Sequence, residues 1–224
     1  MSRTTSVLLS LSALVAASAL AAPAAAAAPV GDRPAAAPAG WEAVDASALA
    51  RITDDADARR APLAAGDSAS AAAAEPELLA VQSVRNNRFV ATEVNYPAPN
   101  TGVQRARSAE FGGSWESFAF EWDEATQTYA LRSLANNRYV AVEKNYTGSA
   151  QNVLRARSTS VGGWERFVLF YNESLDRYAL QSTLNGLFVT MENGYTGSLQ
   201  YALRARSAEI TGSWEEFVLY DIGA

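Results

Sequence analysis

One motif occurs three times at a period of about fifty residues: Arg-Ala-Arg-Ser, a short glycine-containing stretch, then Trp-Glu-x-Phe. Arg105, Arg155 and Arg204 open its first part, and Trp115, Trp164 and Trp214 its second. Upstream of the copies run AVQSVRNNRFVATEVNY, ALRSLANNRYVAVEKNY and ALQSTLNGLFVTMENGY. A unit of this length cannot bury its apolar face alone, so the three copies must share a core.

Within each unit apolar and polar residues alternate with the two-residue period of strands. Four short strands per unit, twelve in all, follow from the pattern. The first hairpin turns at Asn86-Asn87, Asn136-Asn137 and Asn185-Gly186, residue types that accept the positive φ of a tight two-residue turn. Val90 and Thr92, Val140 and Val142, Val189 and Met191 share one face of the second strand, with Glu93, Glu143 and Glu192 on the other. The third strand turns Ala106, Ala156 and Ala205 inward and its arginines outward, and Phe118, Phe120, Phe167, Leu169, Phe217 and Leu219 complete the core. The expected fold is all-β, a β-trefoil of three four-stranded repeats with pseudo-threefold symmetry. Its last strand, ending near Asp221, returns to the first and leaves no open edge. A β-sandwich is the alternative, but it gives no reason for the triplication.

Residues 1–28 carry one charge, Arg3, then an apolar run and Ala-x-Ala sites, the pattern of a signal peptide. This predicts export and an extracellular location, with no membrane attachment once the signal is cleaved. Residues 29–77 are rich in Ala, Pro and Asp and poor in large apolar side chains, and read as a mostly disordered linker. Within it, residues 48–60 have a narrow stripe, Leu49 and Ile52, compatible with a short helix. Gly66-Asp67-Ser68 has the composition of an esterase nucleophile block but neither a preceding strand nor a histidine partner. The folded region is 78–224, with repeats 78–129, 130–178 and 179–224.

There is no cysteine and no histidine. Thiolate nucleophiles, imidazole relays and the usual zinc ligands are therefore excluded. Residues 78–224 hold 13 basic and 15 acidic groups, too even a balance for a phosphate backbone as ligand. Seventeen of the 18 basic residues are Arg, which with the Ala tracts points to a GC-rich bacterial genome.

The stretches NRFVATE, NRYVAVE and GLFVTME, the Arg-Ala-Arg strand and the Gly-turn into Trp-Glu-x-Phe resemble the fascin-like branch of β-trefoils. The resemblance covers about residues 78–222. It implies a binding module: animal members bundle actin, while bacterial members are secreted domains or parts of carbohydrate-active enzymes. The ricin-type Gln-x-Trp motif is absent, so lectin site residues do not transfer.

Paired carboxylates would suit a glycosidase, but Glu93, Glu143 and Glu192 are related by the threefold axis and fall outside the roughly 5 to 9.5 Å such a pair needs. Their expected role is an exposed cross-strand pair with an arginine, contributing roughly 0.2–1 kcal/mol. The candidate ligand residues are Tyr96, Tyr146 and Tyr195 with Asn95, Asn145 and Asn193, and those same Glu93, Glu143 and Glu192. An aromatic face stacks on a sugar ring while amides and carboxylates take its hydroxyls. No catalytic residue, metal site or cofactor is expected. Asp123-Glu124 and residues 172–176 supply oxygens suited to weak calcium binding, without EF-hand spacing, and read as solvated turns. The leading expectation is a monomeric, non-catalytic, lectin-like module for a glycan or polysaccharide, multivalent through its repeats. A protein partner, actin or a protease met through residues 97–103, is the alternative, and a carboxylate-only glycoside hydrolase is third.

Overall fold

The computed structural model describes residues 37–59 and 76–223. The signal peptide expected over 1–28 and the Gly66-Asp67-Ser68 block lie outside the described residues. The described chain begins with strand β1 (Glu42–Ala43) and helix α1 (Ala46–Arg59). Next come β2 (Glu77–Ser83), β3 (Arg88–Glu93), β4 (Val103–Ser108), β5 (Ser117–Asp123), β6 (Thr128–Ser133), β7 (Arg138–Val142) and β8 (Leu154–Ser158). The chain ends with β9 (Arg166–Asn172), β10 (Arg177–Ser182), β11 (Phe188–Met191), β12 (Leu203–Ser207) and β13 (Phe217–Asp221).

Six strands close a ring. β2 pairs with β5, β5 with β6, β6 with β9, β9 with β10, β10 with β13, and β13 with β2, all antiparallel. The other six repeat strands form the hairpins β3–β4, β7–β8 and β11–β12, each with a register shift after its first aromatic residue. The hairpins meet through Val103↔Arg155, Arg105↔Ala202 and Val153↔Arg204, around the small buried cluster Val103, Val153 and Ala202. Inside the ring Leu79, Val81, Phe118, Phe120, Tyr129, Leu131 and their counterparts are buried. Each such side chain contributes roughly 1.5–3 kcal/mol.

The first hairpin turns are longer than the sequence implies. Asn87 N–H donates to Ser83 O (2.9 Å), and only the second turn residue takes positive φ: Asn87 (53°), Asn137 (55°) and Gly186 (68°). The first residue works through its side chain instead. Asn86, Asn136 and Asn185 donate from Nδ2 to the carbonyls of Ala106, Ala156 and Ala205 at 2.8, 2.9 and 3.0 Å, tying the turn to the Arg-Ala-Arg strand.

Residues 37–59, read from composition as linker, hold β1 and α1. Asp45 caps the helix, its Oδ1 accepting Ala48 N–H and Ser47 O–H at 2.8 Å each. Leu49, Thr53 and Ala56, spaced on one helical face, are buried, and Leu49 joins the main core while α1 packs on β13. A narrow stripe suffices because the barrel provides the seat. At two repeat junctions the barrel end is filled by aromatic pairs, Trp122 with Tyr129 and Tyr171 with Tyr178, each 4.9 Å between centroids. The third junction has Leu79 and Asp221 at those positions, and there the helix docks.

Candidate functional site

The threefold Glu residues are not exposed. Glu93, Glu143 and Glu192 have 2%, 3% and 3% of their surface accessible. Each takes both arginines of its own hairpin on one carboxylate oxygen. Arg105 and Arg155 reach Glu93 and Glu143 Oε1 at 3.1 and 3.0 Å, Arg204 lies 3.6 Å from Glu192, and Arg107, Arg157 and Arg206 donate from Nε. The first arginine of each pair, expected to face outward, turns inward across the hairpin triplet. Arg105 Nε donates to Gln200 O (2.6 Å), Arg155 Nε to Thr101 O (2.9 Å) and Arg204 Nε to Gln151 O (2.7 Å), so each hairpin is stapled to its neighbour in a cycle.

The same arginines engage the candidate tyrosines. Arg105, Arg155 and Arg204 donate to the hydroxyls of Tyr96, Tyr146 and Tyr195 and lie 5.5, 5.7 and 5.5 Å from the ring centroids. Asn95, Asn145 and Asn193 stand exposed beside them. The structure thus brings Tyr and Glu of each unit onto one arginine, in a seam between hairpins. The stretch 97–103 is also tied down, by Thr101 O–H to Tyr96 O (2.6 Å) and Asn100 Nδ2 to Ser198 Oγ (2.8 Å). Glu116, Glu165 and Glu215 of the Trp-Glu-x-Phe motif are buried and accept the N–H groups of Gly112, Gly162 and Thr211, holding the loop before each tryptophan.

A site outside the repeated motif lies on the barrel wall. Each junction between repeats has an outer recess built from equivalent positions, and their contents differ. At the junction of third and first repeats the recess is filled by aromatic rings: Phe89 lies 6.3 Å from Phe111 and 5.6 Å from Tyr220. At the second junction Phe170, Phe188, Ala179 and Val168 form an apolar pocket with Ile210, and Trp41 from the N-terminal segment is packed into it. At the first junction Glu121 stands where the others have Phe170 and Tyr220, and Val161 where they have Ile210 and Phe111. This recess is an open groove of about 420 Å³ lined by Glu121, Trp122, Asp123, Glu124, Ala125, Ala130, Val161 and Arg166.

Its polar groups are held in place. Glu121 accepts Arg132 Nε (2.6 Å) and the Tyr139 hydroxyl (2.8 Å). Asp123 accepts Arg166 Nη1 (2.6 Å), and that hydrogen bond holds its carboxyl below the ordinary value. Trp122 packs on Tyr129 and donates its indole N–H to Glu124 (2.7 Å). Sequence reasoning reads Asp123-Glu124 only as a solvated turn and misses the groove around them, because its residues vary among the repeats. Aligning those variable positions, rather than the anchors, is the signal that would have found it. Among the described residues no cluster of acidic side chains is placed to hold a metal ion, and no helix is long and apolar enough to cross a membrane.

No protein-family model matches the chain, and no curated protein matches it in sequence. Solved structures do match in fold. A designed threefold-symmetric protein, ThreeFoil, is 17% identical with a TM-score of 0.50, the match covering 64% of this chain and 98% of that one. The Macrolepiota procera ricin B-like lectin, solved in complex with lactose, is 10% identical with a TM-score of 0.50 over 67% of this chain and 99% of that one. A mosquitocidal holotoxin is 13% identical with a TM-score of 0.53 over 69% of this chain, which spans only 18% of the toxin. At these identities the likeness shows the fold alone, that of threefold and ricin B-like proteins.

Proposed function

We propose that this chain is a secreted, non-catalytic carbohydrate-binding module, a β-trefoil of three four-stranded repeats, with its ligand groove at the first repeat junction. The repeat motifs resemble those of the fascin-like branch, which supports the trefoil reading, and the N-terminal sequence supports export. One observation carries the reading. Three equivalent recesses each have one aromatic ring at the position of Phe89, Tyr139 and Phe188. Two are closed by further rings, Phe111 with Tyr220 and Trp41 with Phe170, and the third, with Val161 and Glu121 at those positions, is open and lined by polar groups beside Trp122. A recess whose counterparts accept planar rings, but whose wall offers carboxylates and a guanidinium, suits a ring bearing hydroxyls. The lactose-bound lectin of like fold supports the same ligand class.

The Asp123–Arg166 ion pair runs counter to a catalytic acid at that position. Glycoside hydrolysis needs one carboxyl kept protonated near neutral pH. In the groove Asp123 is shifted the other way by Arg166, whereas the carboxyl raised by burial, Asp221 and Asp54 is Glu77, on β2.

Calorimetric titration of the full chain with a panel of soluble oligosaccharides tests the proposal. Val161→Phe places in the groove the ring that Phe111 supplies at the third junction, and is expected to weaken binding about tenfold or more, a loss of ~1.4 kcal/mol, without lowering the unfolding midpoint. Tyr146→Phe, in the hairpin seam, is expected to leave affinity unchanged. Undiminished binding by Val161→Phe, or no binding to any glycan, would sink the proposal.

A further inference from the structure

The ligand class can be narrowed by accounting for charge in the groove, an inference that rests on the carbohydrate reading above. Three carboxylates face it. Glu121 is paired with Arg132, and Asp123 with Arg166. Glu124 is exposed and accepts only neutral donors, the Trp122 indole N–H at 2.7 Å and Gln127 Nε2 at 3.1 Å. Among the described residues it has no cationic partner, so the groove carries three negative charges against two positive ones. The two hydrogen bonds hold this carboxylate at the edge of the indole.

From this we infer that the groove selects sugars bearing a protonated amine, the ammonium group pairing with Glu124 beside Trp122 while the ring hydroxyls meet Glu121 and Asp123. A neutral sugar forgoes the ion pair. An acidic sugar sets its carboxylate against Glu124 and is disfavoured by the net negative charge.

The test is calorimetric titration of the full chain with glucosamine oligomers, N-acetylglucosamine oligomers of the same length, and oligogalacturonate, at low and at physiological salt. The glucosamine oligomer is expected to bind about fivefold more tightly than its acetylated counterpart, the ~1 kcal/mol of an ion pair near the surface. The advantage should shrink with added salt, and oligogalacturonate should bind most weakly. Glu124→Gln is expected to erase the preference while retaining affinity for the acetylated oligomer. Glu173→Gln, the matching position in the β9–β10 turn, controls for general attraction of a polycation to an acidic protein and is expected to change nothing. Equal affinity for the glucosamine and acetylated oligomers, or a preference that survives Glu124→Gln, overturns the inference and leaves the carbohydrate reading standing. Failure of all three oligomers to bind overturns the inference, and only failure of the whole oligosaccharide panel overturns both.

Discussion

A single carboxylate carries two guanidinium groups in each hairpin, and its burial changes its weight. An exposed pair contributes at most about 1 kcal/mol, whereas removing one partner of a buried pair leaves an uncompensated charge and costs about 3–5 kcal/mol. Glu143, 3% accessible and shared by Arg155 and Arg157, belongs to the second case. Glu143→Gln is therefore expected to destabilise the chain by about 3 kcal/mol or more in urea unfolding. A change under about 1 kcal/mol would place the pair with exposed ones. The Glu-to-Arg spacing was legible in the sequence, but its depth was not. Alternation on a strand tells which side a residue faces, and here the side away from the barrel is covered by the neighbouring hairpin. Backbone conformation is similarly local in cause and long-range in consequence. Gly102 has a φ of 80°, and a Cβ there would lie 2.5 Å from the carbonyl oxygen of Ala156 in the next hairpin. Asn152 and Tyr201 hold the same conformation in the other repeats at 60° and 62°, so the cap needs the left-handed backbone in all three units.

At the scale of elements, the N-terminal helix shows where composition misleads. Ala, Asp and Arg dominate α1, and neither propensity nor its narrow stripe would fix it as an isolated helix. It forms because the third junction, with Leu79 and Asp221, lacks the aromatic pair that plugs the barrel end at the other two. The Asp45 cap is the local half of the same argument. Asp45→Ala is expected to cost about 1 kcal/mol at neutral pH. Hydrogen bonds from Ala48 and Ser47 hold the Asp45 carboxyl below its ordinary value of 3.8, so its folded pKa is depressed relative to the unfolded chain. Its contribution is present above the unfolded value and is lost as pH falls through the folded one. The stability difference between wild type and Asp45→Ala should accordingly vanish on acidification below 3.8, and a difference unchanged at pH values well below that point would show that the cap is not the cause.

For the whole molecule, sequence symmetry and functional symmetry part company. Three copies of a motif led to the expectation of multivalent binding, since identical units offer identical surfaces. The motif residues turn out to form the seam and the core, which is why they repeat, and the recesses between repeats are built from positions free to diverge. Phe111 and Tyr220 close one, Trp41 closes another, and Glu121 with Val161 leaves one open. A chain with one open recess should bind one ligand, without the avidity that linked sites give toward a polymer. Titration of the full chain with a short oligosaccharide is thus expected to give a stoichiometry of one, and mixing with a long polysaccharide should produce no cross-linked precipitate. Trp41→Ala should not raise that number, because the pocket it empties is walled by Phe170, Phe188 and Val168 and lacks the carboxylate that Glu121 supplies at the open recess; its effect should be a loss of stability of about 3–5 kcal/mol. A stoichiometry near three would return the ligand sites to the Asn-Tyr loops of the hairpin cap, where the repeats are alike.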